Sequence, residues 1–527
     1  MSTHALDQFS PAQRRSVKTV LRTPVLLKTE VLGGLVVALA LIPEAIAFSI
    51  IAGVDPRLGL FASFTMAVSI AFLGGRPAMI SAATGAVALV IAPVVKDHGV
   101  DYLIATVILA GLIQVSLGLL GIAKLMRFIP RQVMVGFVNA LAILIFMSQI
   151  PELVGVPWAV YPLAALGLLI IFGLPRITNA VPAPLVAIVV LTLITVFAKI
   201  TVPTVADKGE LPQSLPQFGI PDVPFTMETL SIIFPYALGM AFVGLLESLM
   251  TAKLVDDITD THSNKTRESL GQGAANFITG LFGGMGGCAM IGQTTINVKA
   301  AQARSRVSTF LAGVFLLVLV VALGDVVGLI PMAVLVAVMI FVSVATFDWH
   351  SIAPATLKAM PKSETTVMLV TVVFTVVTHN LAIGVGAGVL TATVLFANRV
   401  AHLVNVHRVV SGDGDEQKAV YTVDGELFFA SSNDLYAQFN YVEDPDRVTI
   451  DMERSHIWDA SSIAALDAIT DKYARYGKTV EVIGLNAASQ RMQERLGGKL
   501  FVVKPHCSWF IARIPKRTAS NRRTGQT

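Results

Sequence analysis

The chain has 527 residues, 54% of them hydrophobic and only 14% charged, and its mean hydropathy is +0.71. That excludes an ordinary soluble domain, a disordered chain and a disulfide scaffold, and leaves a polytopic membrane protein. The net charge of +4 does not signal nucleic acid as a partner, because the Lys and Arg gather in short loops on one side of the apolar runs.

Residues 1–30 are basic (Arg14, Arg15, Lys18, Arg22). They carry no small-residue cleavage site, so they read as a cytoplasmic N-terminal segment rather than a signal peptide. From 31 to 405 the apolar runs predict an all-α membrane domain of fourteen spans. Seven lie near 31–52, 58–74, 79–95, 102–123, 131–150, 160–175 and 183–199. Seven more lie near 231–254, 269–284, 288–302, 307–328, 331–346, 364–378 and 380–403. An even number puts both ends on one side. With both termini cytoplasmic, the inner loops hold Arg76, Lys124, Arg127, Arg131, Arg176, Lys265, Arg267, Arg304, Arg306, Lys358 and Lys362. The outer loops keep Arg57, Lys96, Lys199 and Lys208. The excess of positive charge inside sets the orientation, and seven spans per half insert the second half upside down relative to the first.

Residues 406–417 read as a polar linker, with Ser411 to Glu416 its most polar part. From 418 to 514 strands and helices alternate, which predicts a small α/β domain. A hairpin of 419–423 and 426–429 turns at Asp424-Gly425. A helix over 432–442, a strand over 447–452, a helix over 461–476, a strand over 479–485 and a helix over 487–496 follow, with 501–503 as a last strand. The tail, 515–527, carries Lys516, Arg517, Arg522 and Arg523 and suits a disordered segment drawn to anionic membrane lipid.

One phrase occurs in both halves. Glu44 lies inside an apolar run, Gly74-Gly75 follows, then Ala78-Met79-Ile80; Glu247 lies inside an apolar run, Gly283-Gly284 follows, then Ala289-Met290-Ile291. The third and tenth spans are short and glycine-led, with Ser81 and Thr84 in one and Gln293, Thr294 and Thr295 in the other. Glycines let a chain unwind at membrane depth, where protein or a cavity must satisfy the freed backbone. A helix starting there aims unpaired N–H groups at the middle, and two such starts make a site for a small inorganic or carboxylate anion.

The two starts together offer about one positive charge. An ionised Glu44 or Glu247 works against the anion, and an unpaired acid at mid-bilayer costs about 2.5–3.5 kcal/mol. Protonation or a bound cation removes that cost, and either one linked to anion binding is cotransport of H+ or Na+. Thr251, four residues after Glu247 on the same face, makes Glu247 and Thr251 a candidate sodium site. Asp256, Asp257 and Asp260 read as a solvated loop, and Cys288 and Cys507 as neither disulfide nor metal ligands. No nucleophile, base and oxyanion-donor motif is present, so neither an enzyme nor a cofactor is expected. A passive channel or exchanger, and a membrane-anchored regulator, are the alternatives to a transporter.

The run from Leu41 through Pro43, Glu44, Phe48, Gly53, Pro56 and Gly59 to Phe64 resembles the signature of the SulP family of sulfate permeases and related anion transporters. The stretch Gly283–Asn297 resembles that family's tenth-helix region. Gly425 to Asp434, with Trp458, Asp459, Ser461 and Ser462, resembles the STAS domain that usually follows. The resemblance implies a seven-plus-seven inverted repeat with core and gate subdomains, commonly assembled as a homodimer, and a STAS domain open to a cytoplasmic protein partner. It implies that Phe48, Thr84, Ala289, Met290 and Ile291 line the anion site, and that Glu44, Glu247 and Thr251 serve ion coupling. It implies sulfate, bicarbonate, chloride or dicarboxylate as cargo, with sulfate and protons the first choice. Two departures stand out: Gln293 sits where many relatives carry arginine, and Met290 and Ile291 are larger than the residues of bicarbonate carriers. Ser461 matches a serine that is phosphorylated in bacterial antagonist relatives; the alternative is that Asp459 and Ser461 cap the next helix.

Overall fold

A computed structural model describes residues 9–121, 129–177, 182–401, 404–412 and 417–497. Lys124, Arg127, Cys507, the strand expected at 501–503 and the basic tail lie outside them. The chain divides into two units, Met1–Ala392 and Thr393–Thr527, and each is described by itself.

In the first unit two short helices, Pro11–Arg15 and Val17–Arg22, precede α1 (Pro24–Ala52). Gly53, at a left-handed φ of 77°, closes α1 by donating its N–H to Ile50 and Ser49 carbonyls. Pro56 then opens α2 (Pro56–Leu73) at a position where its missing N–H costs nothing. A two-residue strand β1 (Ser81–Ala82), α3 (Gly85–His98), α4 (Val100–Leu119), α5 (Arg131–Gln149), α6 (Val160–Gly173) and α7 (Ala183–Phe197) complete the first half. The second half runs through α8 (Met227–Thr259), α9 (Lys265–Leu281), β2 (Cys288–Ala289) and α10 (Ile291–Thr295). The chain continues past α10 as a π-helical turn over Ile296–Ala300. Then come α11 (Arg306–Ala322), α12 (Met332–Thr346), α13 (Lys362–Thr378) and α14 (Leu381–Ala401). Six described helices are long and apolar enough to cross a membrane: α1, α2, α4, α5 with the turn after it, α8 and α14.

Two packing groups emerge, each drawing helices from both halves. In one, α4 packs on α9 and α8, α11 on α1 and α2, and α9 on α2, with α3 against α1 and α8. In the other, α13 packs on α5, α12 on α5 and α6, and α6 on α7. This is the core-and-gate division expected of an inverted repeat. The α4–α9 contact is so close that a Cβ on Gly111 would come within 2.6 Å of the Phe277 nitrogen, and one on Gly273 within 2.6 Å of the Val115 nitrogen. Only glycine permits that approach.

The second unit holds a four-stranded sheet in the order β3 (Asn405–Ser411), β4 (Lys418–Leu427), β5 (Arg447–Ile457), β6 (Thr479–Ile483). β3 is antiparallel to β4 and the other pairs are parallel. Helices α15 (Ser432–Ala437), α16 (Ala460–Arg475) and α17 (Ala487–Leu496) connect or follow the strands. Its core includes Tyr421, Ile450, Met452, Ile463, Leu466, Ile469 and Tyr473.

Three expectations change here. The first part of the linker is an edge strand, β3. Six of its seven residues are exposed, so it carries no alternation to read. Asp424-Gly425 is not a hairpin turn: β4 runs straight through it against β5, with a register shift between Thr422 and Asp424. The helix expected over 432–442 ends at Ala437.

Candidate functional site

Helix α2 ends at Leu73 with Gly74 as its C-cap, and polar side chains of the second half take over the freed backbone that follows. The Ile80 N–H donates to Thr294 Oγ1 at 3.0 Å. Asn297 Nδ2 donates to the Ala78 carbonyl at 2.9 Å, and Thr309 Oγ1 to the Met79 carbonyl at 3.2 Å. On the opposite segment Asn276 brackets Gly287, accepting its N–H at 2.9 Å and donating to its carbonyl at 3.0 Å. The Ala289 N–H donates to Ser248 Oγ at 3.1 Å. These bonds satisfy freed backbone groups for which lipid has no partner.

Between these anchors β1 and β2 pair antiparallel, Ser81 opposite Ala289 and Ala82 opposite Cys288. Any Cβ on Gly287 would collide with the Ala82 carbonyl oxygen. A helix starts just beyond each strand. Thr84 caps α3 by accepting the Val87 N–H at 3.3 Å, and Met290 is the residue before α10. Antiparallel strands followed by helices point the two helix starts toward one another.

A cavity of about 800 Å³ lies at these starts. Its wall includes Glu44, Phe48, Thr84, Glu247, Met290, Ile291 and Gln293, and no Lys, Arg, His or Asp among the described residues. Gln293 lies beside the Glu44 carboxyl. The other side of the wall, Phe137, Leu141, Ile145, Val338 and Phe341, was not named from sequence. These are apolar residues on apolar helices, with nothing to set them apart.

Four expected site residues do not line this cavity. Ser81 is buried and accepts from Gln272 Nε2 at 2.7 Å. Ala289 belongs to β2, and Thr294 holds Ile80. Thr251 donates its hydroxyl to the Glu247 carbonyl at 2.8 Å. They build the crossing rather than face it. One residue that the sequence reading passed over stands at its centre: Cys288 Sγ donates to Glu247 Oε2 at 2.9 Å and lies 3.2 Å from Thr84 Oγ1. Its position right after Gly286-Gly287 was the available signal.

Asp256 is not a solvated loop residue. It sits near the end of α8 and takes Arg76 Nη1 at 2.9 Å and Lys265 Nζ at 2.8 Å. Arg76 is buried and also donates to Thr261 Oγ1 and Thr259 Oγ1 at 3.0 and 2.6 Å. Burial pulls its guanidinium down to about 10, with Asp256 opposing that fall. Glu268 of α9 accepts the Gly75 and Arg76 N–H groups at 2.7 and 2.9 Å. Together these bonds tie the glycine break to α8 and α9. In the second unit, Ser461 is exposed in the first turn of α16. Asp459 makes the cap, with the Ser462 N–H at 3.0 Å and the Ser462 hydroxyl at 2.9 Å; Ser461 takes no part in it.

The model of the "Sulfate permease family" matches residues 27–162 and 156–371, and that of the "STAS domain" matches 410–507. YbaR of Bacillus subtilis (strain 168), named as a sulfate transporter with the assignment unproven, is 54% identical over 89% of this chain and 97% of its own. The transmembrane domain of a cyanobacterial bicarbonate transporter, BicA, superposes with a TM-score of 0.61 at 27% identity. It covers 68% of this chain and 97% of its own. Murine Slc26a9, an anion transporter solved in its inward-facing state, superposes with a TM-score of 0.78 at 17% identity, covering 94% and 91%. At that identity it supports the fold alone.

Proposed function

This chain belongs to the sulfate permease family, and from that premise we propose that it carries a small anion together with a proton across the bacterial inner membrane, with both termini cytoplasmic. Sulfate is the first choice of anion. The reading rests on the antiparallel pairing of Ser81–Ala82 with Cys288–Ala289, which sets two helix starts against one cavity.

The chemistry follows from what the wall contains. Two helix starts offer about one positive charge, and two carboxyls share the cavity with no cationic side chain among the described residues. An anion meeting both carboxylates ionised would find net repulsion, so it enters when they hold protons. A sodium ion at Glu247 and Thr251 is less well supplied. Of the two residues, Glu247 lines the cavity and Thr251 does not.

YbaR's name favours sulfate. Bicarbonate or a dicarboxylate is the second reading; bicarbonate is favoured by the likeness to BicA and by a site charge that balances a monoanion better than a dianion. An uncoupled exchanger or channel is the third. In the same proposal the chain works as a homodimer in its lipid, and the terminal domain offers Ser461 and its surroundings to a cytoplasmic protein partner.

Uptake of labelled sulfate, bicarbonate and fumarate into proteoliposomes under imposed proton or sodium gradients tests the reading. Glu247→Gln is expected to insert normally and to lose acid-stimulated uptake. Equal uptake by parent and variant at every pH and sodium level refutes the coupling role.

A further inference from the structure

Glu247, Cys288 and Thr84 form a three-member hydrogen-bond chain that ends on the cavity wall. We propose that Cys288 is the positioning residue that passes the protonation state of Glu247 to the Thr84 hydroxyl, and so makes anion binding depend on the proton. The inference rests on the proton-coupled reading above and names the residue that does the coupling.

The geometry sets the chain's members. Cys288 is buried and unpaired in any disulfide. Its sulfur lies 2.9 Å from Glu247 Oε2 on α8 and 3.2 Å from Thr84 Oγ1 at the start of α3. Thr84 Oγ1 also accepts the Val87 N–H at 3.3 Å. A hydroxyl has one hydrogen to give and two lone pairs, and a thiol can act weakly in both senses.

Those inventories allow two arrangements. With Glu247 ionised, the thiol hydrogen goes to Oε2, and the sulfur accepts the Thr84 hydroxyl hydrogen. Thr84 then has no hydrogen to offer the cavity. With Glu247 protonated, its own hydrogen goes to the sulfur, and the thiol turns its hydrogen to Thr84 Oγ1. That oxygen now accepts twice, so its hydroxyl hydrogen turns into the cavity toward the anion. One proton is added at Glu247 and two hydrogens, those of the thiol and the hydroxyl, rotate. No bond other than O–H at Glu247 is made, and the thiol never ionises.

Few other charges compete for this role. Glu44 is the other ionisable group on the wall, with Gln293 of α10 beside it. On elements packed against α8, Glu268 of α9 is held by Gly75 and Arg76, Lys265 by Asp256, and Arg267 by the Phe72 and Leu73 carbonyls. Lys96, Asp97 and His98 of α3, Asp101 of α4 and Lys299 beyond α10 are exposed.

The test is labelled-sulfate uptake by the full chain in proteoliposomes, read as the ratio of uptake at acid to alkaline external pH. Membrane insertion and elution profile are measured alongside. Cys288→Ala removes the link and is expected to lower that ratio several-fold, as loss of an interaction made only in the protonated state, while the repulsion from the two carboxylates remains. Cys288→Ser keeps both hydrogen-bond roles and is expected to retain acid stimulation. A Cys288→Ala protein that keeps the parent's ratio overturns the relay and leaves coupling through Glu247 standing. A normally inserted Cys288→Ser protein that loses the ratio overturns it too, since packing of sulfur rather than hydrogen bonding would then be at work. That arm holds even if the alanine variant fails to insert. A parent with no acid stimulation overturns both the coupling and the relay.

Discussion

Replacing Asp256 with alanine strips the buried Arg76 of its partner. The Arg76 side chain is 2% exposed and that of Asp256 13%, with nitrogen and oxygen 2.9 Å apart. Unit charges about 4 Å apart attract by about 4 kcal/mol at an effective dielectric of about 20. Removing one member of a buried pair typically costs 3–5 kcal/mol, because the other is left buried and uncompensated. Thr259, Thr261 and the Val255 carbonyl still receive Arg76 hydrogens, which places the loss near the lower end, about 3 kcal/mol. At about 2 °C per kcal/mol for a large domain, the midpoint of heat unfolding falls by roughly 6 °C. The assay is size-exclusion recovery of the detergent-solubilised chain after heating. Arg76→Met combined with Asp256→Leu should restore most of the loss, since an apolar pair of similar volume needs no partner. A single variant that melts within about 1 °C of the parent refutes the reasoning, because Arg76 would then not be buried against Asp256.

Gly287→Ala should force β1 and β2 apart, since the new methyl collides with the Ala82 carbonyl. Overpacking of this kind costs about 1–3 kcal/mol, and uptake should fall further than the amount of protein in the membrane does; unchanged uptake per molecule would show that the strands need not touch. In the terminal domain, burial first and hydrogen bonding to Asp444 second push the Tyr421 and Tyr473 phenols up. An unfolded phenol ionises near pH 10. The stability that comes from keeping these protons is therefore full below that pH and drains away as pH rises through the higher folded values. Tyrosinate absorbance in an alkaline titration of the full chain should show these two phenols ionising only as the domain unfolds, and a smooth early titration of both would contradict it.

The membrane helices were legible because each is a long apolar run bounded by charge, proline or glycine. The breaks at Gly74-Gly75 and Gly283-Gly284 were legible because paired glycines interrupt the apolar runs there. The repeated Ala-Met-Ile letters, however, do not occupy equivalent places. Ala289-Met290-Ile291 ends β2 and opens α10, whereas Ala78-Met79-Ile80 lies before β1, and α3 is opened instead by Ala83-Thr84-Gly85. The inference to two facing helix starts survives because it depends on glycine and polar residues in mid-span, not on those three letters. Arg76 and Asp256 looked like loop charges because sequence spacing cannot show that residues 180 positions apart meet. Cys288 was passed over because a thiol is hydrophobic by composition and polar only beside a carboxylate.

Among the described residues, the side-chain bonds that join helices of the first unit have one feature in common: they stay inside a packing group. Arg76 with Asp256, Asn276 with Gly287, Thr294 with Ile80 and Glu30 with Ser305 join members of the α1–α4 and α8–α11 set. Asn139 with Ser351, and Ser343 with the Ala142 carbonyl, join members of the other set. At the cavity the two sets meet through Phe48, Met290 and Ile291 on one side and Phe137, Leu141, Ile145 and Phe341 on the other. An apolar seam can be repacked without leaving a donor or acceptor unpaired, whereas sliding across a hydrogen-bonded seam would cost about 1–3 kcal/mol for every group stranded. The loop between α7 and α8 bridges both sets, with Glu210 on Arg57 and Lys208 on Glu152. Such partly exposed ion pairs are worth only about 0.2–1 kcal/mol each, little enough to break and reform. The distribution of bonds therefore favours two stiff bodies moving past one another, with the crossed strands and the helix starts they position carried as a unit in one of them.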